Sequence, residues 1–228
     1  MKKVITILSV AVITCCASTS SFAQTFGLKF GANLANMITK LDKDKLNDNS
    51  KIIAGMHLGP IVEFSLNDMF SIESGILGTI KGSKSTSEMD LLGVKYETKS
   101  RLYLLYVEVP VTAKVGFKAG NSKIYVDAGP YIALGTMGKS IVVDSKDGKT
   151  EHSEVTDMKW GNNNESDLKR LDYGVTAGAG IEFGIIQISA SYGLGLANIA
   201  PKYLSDLGFS MKNNVIGISL AFRFGANK

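Results

Sequence analysis

Cysteine is nearly absent. The 228-residue chain holds two, Cys15 and Cys16, and both fall in an N-terminal stretch laid out like an export signal. Met1, Lys2 and Lys3 are basic, and Val4 to Cys16 is apolar apart from Thr6, Ser9 and Thr14. Ser21 and Ala23 then place small residues three and one before a cut ahead of Gln24. Cleavage after Ala23 divides the chain into a signal, 1–23, and one domain, 24–228. That domain has no cysteine, which excludes disulfides and thiolate chemistry from it. A short membrane anchor, for which the apolar stretch is too short, and lipid attachment at Cys15 or Cys16, where Thr14 fits poorly the small residue that such sites need, are the other fates of such a leader. Charge of one sign is lacking too. The net charge of +4 falls to +2 once Lys2 and Lys3 leave, which is no footprint for nucleic acid. After the leader no apolar run approaches the roughly 20 residues of a spanning helix. The glycines do not cluster ahead of a helix, so no phosphate-cradling loop is present. The chain has only two histidines. A metal centre or a nucleophile relay at His57 would need an acid and a Ser converging on it. His152 has only Glu151 and Glu154 beside it. No metal, cofactor or catalytic residue is expected.

What is present is alternation with a period of two. In Thr25 to Leu34, Phe26, Leu28, Phe30, Ala32 and Leu34 share one face of a strand, and Lys29 and Asn33 lie on the other. The pattern recurs seven more times. The apolar faces are Ala54 to Phe64, Phe70 to Ile80, Tyr103 to Phe117, Ile124 to Leu134, Leu171 to Phe183, Ile186 to Leu196 and Ile216 to Phe224, each taken at every second residue. None of these positions is charged. The opposite faces carry Lys29, Glu63, Glu73, Glu108, Lys114, Asp127, Asp172, Glu182 and Arg223, together with most of the strand glycines.

A soluble β-barrel puts its charges outward in water. Here the charged face is also the small-residue face, and small residues belong where side chains crowd inside a narrow barrel. The charged face is therefore read as a lumen and the apolar face as meeting lipid. This predicts an all-β fold, an eight-stranded antiparallel up-and-down transmembrane β-barrel. Connections alternate to match. Those near Asn67-Asp68, Lys118 to Ser122 and Gly184-Ile185 are short, and 35–52, 82–101, 136–170 and 197–213 are long and polar. Short periplasmic turns and long exterior loops have this pattern.

Buried charges must be paired. Arg223, Lys114 and Lys29 are expected to bridge several of the carboxylates, with Tyr106, Tyr125 and Tyr131 as further partners, in a structural plug. A narrow cation path is the functional alternative. Pro60, Pro110 and Pro130 fall inside alternating segments, where a closed barrel has no edge to absorb a missing N–H, so bulges or strand ends are expected there. Trp160, the one tryptophan, is a candidate loop contact for a partner, or else packs on the rim or at the membrane interface. Ala200 to Leu207 is read as a helical turn on the exterior rim.

Several stretches resemble the PorT-like outer-membrane β-barrel family of Bacteroidetes. Leu105-Tyr106-Val107-Glu108-Val109-Pro110-Val111 is similar to that family's YLEIP strand, and Tyr125-Val126-Asp127-Ala128-Gly129-Pro130-Tyr131 to its GPY strand. Asp172-Tyr173-Gly174 with Gly178-Ala179-Gly180-Ile181-Glu182 resembles its sixth strand. Tyr192-Gly193-Leu194-Gly195-Leu196-Ala197-Asn198-Ile199 resembles YGLxNI, with Ala197 where a polar residue is usual. Leu220-Ala221-Phe222-Arg223-Phe224 resembles the aromatic end that barrel-assembly machinery reads. The resemblance implies an outer-membrane barrel and, through the family's named member, a link to a protein secretion and gliding apparatus.

The expected function is a structural or partner-binding role through the exterior loops, without catalysis. The partners expected are outer-membrane lipid, the export and barrel-assembly machinery, and a protein at the exterior loops. An accessory secretion subunit, a small channel and a rim-located lipid or peptide hydrolase are the alternatives.

Overall fold

Successive side chains of an extended strand point to opposite faces, so alternating sequences fold into two-faced strands. The computed structural model describes residues 23–41, 44–45, 50–91, 94–163 and 165–225. The export-signal expectation lies outside the described residues apart from Ala23. Among the described residues the strands are β1 (Ala23–Leu41), β2 (Asp44–Lys45), β3 (Ile53–Ser65), β4 (Phe70–Gly75), β5 (Leu77–Leu91), β6 (Val94–Ala119), β7 (Ser122–Lys146), β8 (Lys149–Asp157), β9 (Leu171–Phe183), β10 (Ile186–Gly195) and β11 (Phe209–Gly225), with a short helix, α1 (Lys202–Asp206), before β11.

All pairings between the named strands are antiparallel. β1 pairs with β3 on one side and with β11 on the other, and β10, β9, β7 and β6 follow in turn. β4 and β5 together fill the place between β3 and β6. The pairings thus close into a ring of eight positions. Phe26 stands opposite Phe224 at the seam between the first and last strands.

The two faces are inverted relative to a protein folded in water. Met56 and Ile218 are each 63% exposed, whereas Lys114 and Asp172 are each 0% exposed. Every second residue along the strands follows the same division, with Phe26, Leu58, Val126, Ile132 and Val175 outside and Glu63, Glu73 and Glu182 inside. The face assignments made from the sequence hold on each strand of the ring.

One end of the ring is closed by tight turns. Gly120 and Gly184 take left-handed φ angles of 63° and 55° in the turns after β6 and β9, a conformation open to glycine at little cost. At the β3–β4 turn, the Asn67 side-chain oxygen accepts from the N–H groups of Met69 and Phe70 at 2.9 and 2.8 Å. At the other end the long connections are only partly loops. β5 and β6 run on as a hairpin paired through Leu91 and Val94. β7 continues to Lys146 and returns as β8, which pairs with β7 alone. Polar composition marked these stretches as solvated, and β8 is exposed throughout; composition does not separate a solvated loop from a solvated strand. α1 lies where a helical turn was expected.

The prolines produce interruptions in the pairing without a slip in register. β4 and β5 are separated at Ile76, whose N–H donates to the Pro60 carbonyl at 3.0 Å. Ser74 beside it donates its hydroxyl to the Pro110 carbonyl at 2.8 Å. The β6–β7 ladder is interrupted between Pro110 opposite Tyr131 and Ala113 opposite Ala128, next to Pro130. A missing N–H removes a ladder bond, and the flanking strand breaks there. The register shift in β6–β7 lies elsewhere, between Leu105 and Tyr106.

β8 pairs only with β7, and residues 141–146 of β7 pair otherwise only with Tyr96 to Arg101 of the β5–β6 hairpin, so the β7–β8 hairpin lies outside the ring. Replacing residues 141–155 by a tight turn is expected to leave the ring formed. The check is the temperature at which the folded gel band in detergent converts to the unfolded one, which should stay within a few degrees of the parent.

Candidate functional site

The candidate site is the interior of the ring. Near the tight-turn end the ammonium of Lys114, on β6, is shared by three carboxylates. It lies 2.7 Å from Glu63 on β3, 2.8 Å from Glu73 on β4 and 3.2 Å from Glu182 on β9. Arg223 on β11 bridges Glu63, at 3.2 Å, and Glu182. Lys29 on β1 pairs with Glu73. The Lys114 ammonium also sits over the Tyr125 ring, 4.4 Å from its centroid. A lysine at 0% exposure is tolerable in a low-dielectric interior only with such partners. Six strands, β1, β3, β4, β6, β9 and β11, are thereby tied together across the ring, rather than only along the ladder.

A second cluster lies toward the other end, and its centre was not foreseen. Lys81 on β5 is buried and bridges Glu108 at 2.7 Å and Asp172 at 3.0 Å. Its ammonium lies 4.3 Å from the Tyr131 ring centroid and 5.1 Å from that of Tyr106. Asp172 also accepts from Asn213 at 2.9 Å. The expectation that Arg223, Lys114 and Lys29 would serve the carboxylates thus leaves out the cation that serves Glu108 and Asp172. The signal was available: Glu73, Leu77, Thr79 and Lys81 continue one inward parity. Lys81 was overlooked because the polar residues that follow it read as loop. Asp127 makes none of the ion pairs found among the described residues; it lines a cavity between the two clusters.

That cavity measures about 100 Å³ and is lined by Lys29, Asn33, His57, Asp127, Ser189 and Ser219 among others. It is polar and has room for a few waters, well short of the roughly 300–1,000 Å³ of a small-molecule site. His57 lies at its wall. Its Nδ1 is 2.8 Å from Asn33 Oδ1, and its Nε2 is 2.9 Å from Ser219 Oγ. The Asn33 amide nitrogen donates to Thr79 Oγ1 at 2.9 Å, which leaves Oδ1 to accept from His57 Nδ1–H. The Ser219 hydroxyl then donates to Nε2. The order serine, histidine, amide oxygen is that of a nucleophile relay. Attack on an acyl group also needs donors aimed at the oxyanion, and Ser219 is paired with Gly31 and Ser189 on its two sides in the sheet.

The arrangement performs another task. His57 on β3 reaches across β1 to Ser219 on β11, and so clips the seam where the ring closes. Gly31 makes this possible: a Cβ there would lie 2.5 Å from His57 Cε1 and 2.1 Å from the Ile218 carbonyl oxygen.

The end opposite the tight turns is covered. Met37, Leu104, Tyr106, Tyr131, Ala133, Leu168, Ala197 and Ile199 form an apolar cluster, flanked by Met158, Trp160 and Met211. Trp160, a candidate contact for an outside partner, is turned inward. Its ring meets Tyr106 edge-on with centroids 5.5 Å apart, and it occupies the space over Gly135, where a Cβ would lie 2.3 Å from the indole. His152 lies on the exposed β8, 3.9 Å from Glu154. No group of acids and histidines fit to hold a metal occurs among the described residues.

Two substitutions test the interior. Lys114→Met leaves three buried carboxylates short of a cation and should cost about 3–5 kcal/mol, lowering the unfolding temperature of the gel band steeply. Lys118→Met, whose partner Asp68 is solvent-exposed, should leave it unchanged. At the seam, Gly31→Val is expected to abolish or sharply weaken the folded band. Gly193→Ala is its control, since the nearest atom to a Cβ there is 3.9 Å away.

Comparison with known proteins adds the following. A family model described as "Outer membrane protein beta-barrel domain" matches residues 22–200. Among solved structures, the attachment invasion locus protein Ail of Yersinia pestis is 16% identical, covering 89% of this chain and 99% of its own, with a TM-score of 0.34. OprG of Pseudomonas aeruginosa is 15% identical, covering 90% and 98%, with a TM-score of 0.41. Neisserial surface protein A is 11% identical, covering 87% and 97%, with a TM-score of 0.39. No curated protein matches. With the matched residues spanning most of the chain, the protein belongs to the outer membrane protein beta-barrel domain family.

Proposed function

We propose that the chain is an eight-stranded transmembrane barrel of the outer membrane. Its lumen is closed, and its role is exercised by the hairpins and loops that project beyond the ring. The observation that carries this reading is the inversion of burial along every strand of the ring. Apolar residues such as Met56, Leu58, Val126 and Ile218 face outward while charged residues are buried. A surface of this kind is stable against hydrocarbon and costly against water. The tight turns then lie on the periplasmic side, and β5–β6, β7–β8 and α1 on the exterior.

The closed interior supports a structural or partner-binding role over a conducting one. Two ion-pair clusters and the apolar cover of Trp160, Leu168 and Ile199 occupy the path. Eight strands leave an interior that side chains can fill. The exterior elements, built on rigid strands, are where such a barrel presents contacts. The resemblance to the PorT-like group supports a place for that contact in a secretion apparatus. Residues 1–23 are proposed to direct export and to be removed.

The test is gel mobility of the protein extracted from isolated outer membranes, before and after boiling. The unboiled protein should migrate as a separate, compact band. Val126→Arg places a charge on the outward face of β7, within the Ser122–Leu134 stretch that pairs with β9, and should cost about 2–4 kcal/mol in a bilayer, depleting that band. A protein recovered from the soluble periplasm, with one mobility and indifferent to Val126→Arg, would overturn the reading. In planar bilayers the folded protein should give no stepwise conductance.

A further inference from the structure

Resting on the transmembrane reading, we propose that the outward face of β5 and β6 just beyond the apolar band binds phosphoryl groups of anionic glycolipids in the outer leaflet. The place is set by sequence. On β6 the outward positions run apolar from Phe117 up to Leu105, then Tyr103, then Arg101. On β5 they end at Ile80, and the next outward charge is Lys84. Lys84 stands directly opposite Arg101. On its other side Lys84 exchanges both backbone hydrogen bonds with Lys51, N to O, at 2.6 and 3.0 Å. Three cations, Arg101 on β6, Lys84 on β5 and Lys51 in the segment leading into β3, therefore form one row, with paired backbones about 4.8 Å apart.

Like charges directly opposite one another oppose pairing, and the row has no acid within it. Nearby carboxylates are committed or displaced: Glu97 pairs with Lys99, and Asp157 stands opposite Lys139, one strand further on. None of the ion pairs among the described residues involves Lys51, Lys84 or Arg101, and all three side chains are exposed. None of the described carboxylates supplies the negative charge that the row lacks.

The row's height on the barrel says from where. It begins one outward step beyond Tyr103, a partly buried aromatic of the kind that sits at headgroup level. The cations therefore face the layer in which lipid phosphates lie. Arg101 offers a planar fork that matches a phosphate in two hydrogen bonds, and the lysines add point charges on either side. Basic residues at this level attract anionic lipid additively.

The experiment uses the full-length protein folded in zwitterionic detergent. Retained lipid is counted by native mass spectrometry with a bis-phosphorylated glycolipid and with the same lipid stripped of its phosphates. The phosphorylated form should be held preferentially. The combined variant Lys51→Gln, Lys84→Gln and Arg101→Gln should weaken its retention about fivefold per cation removed. The control, Lys149→Gln, Lys159→Gln and Lys202→Gln, removes equal charge elsewhere on the exterior and should retain lipid as the parent does. Equal retention of both lipids, or unchanged retention by the first variant, overturns the proposal. So does full displacement of the lipid by inorganic phosphate alone, which would assign the row to a free anion. Each sample is also run unboiled. Lack of the compact band overturns the transmembrane reading, whereas a compact band without lipid preference overturns this inference alone.

Discussion

The structure depends on how charge is held inside a closed ring. Lys114 gives one ammonium to Glu63, Glu73 and Glu182, and Arg223 and Lys29 supply the balance. These side chains come from β1, β3, β4, β6, β9 and β11 and meet in the interior, so the strands are tied across the ring as well as to their neighbours. A barrel whose outer face is apolar gains little from packing that face against lipid tails in preference to another apolar surface. The interior contacts must therefore define its shape. Removing one partner from such a cluster leaves buried charge uncompensated, which costs more than the intact pairs contribute.

Above the charges the chemistry changes by steps. The polar cavity with His57 and Asp127 gives way to Lys81 bracketed by two carboxylates and two tyrosines. Lys81 lies over both tyrosine rings, the Tyr106 hydroxyl accepts from Asn213, and the Tyr106 ring meets Trp160 in a T-shaped contact, while both tyrosines belong to the apolar cluster with Leu168. Tyr106 and Tyr131 thus join an ion-pair cluster to a hydrophobic cover without leaving either with the wrong neighbour. Amphipathic rings suit that junction.

The ring was legible in the sequence because period two is a strict geometric signal. Each of the eight segments has its apolar residues outside, and the turn at Gly184-Ile185 falls where expected. What failed was the boundary between strand and loop at the end opposite the tight turns. Once β5 and β6 pass beyond the apolar band, the outward residues turn polar, and the alternation that marked the strands vanishes although the strands continue. Lys81 was lost at that boundary. The clip of His57 to Asn33 and Ser219 was illegible for another reason. It joins β3 to β11 over Gly31, and the distance in sequence between those residues carries no trace of their adjacency. Trp160 could be read as facing outward or packed on the rim, and only the gap over Gly135 decides between them.

The seam has a topological consequence. Thr25 stands opposite Gly225, so the beginning of β1 and the end of β11 lie side by side. A short linker between them would turn the seam into one more hairpin, and new ends could then be opened at Gly120-Asn121 or Gly184-Ile185. Every pairing would survive such a circular permutation. What would change is order of synthesis: His57 and Ser219 would come to lie on strands made close together in time, and the closing step of the ring would move to a pair of strands that has no clip.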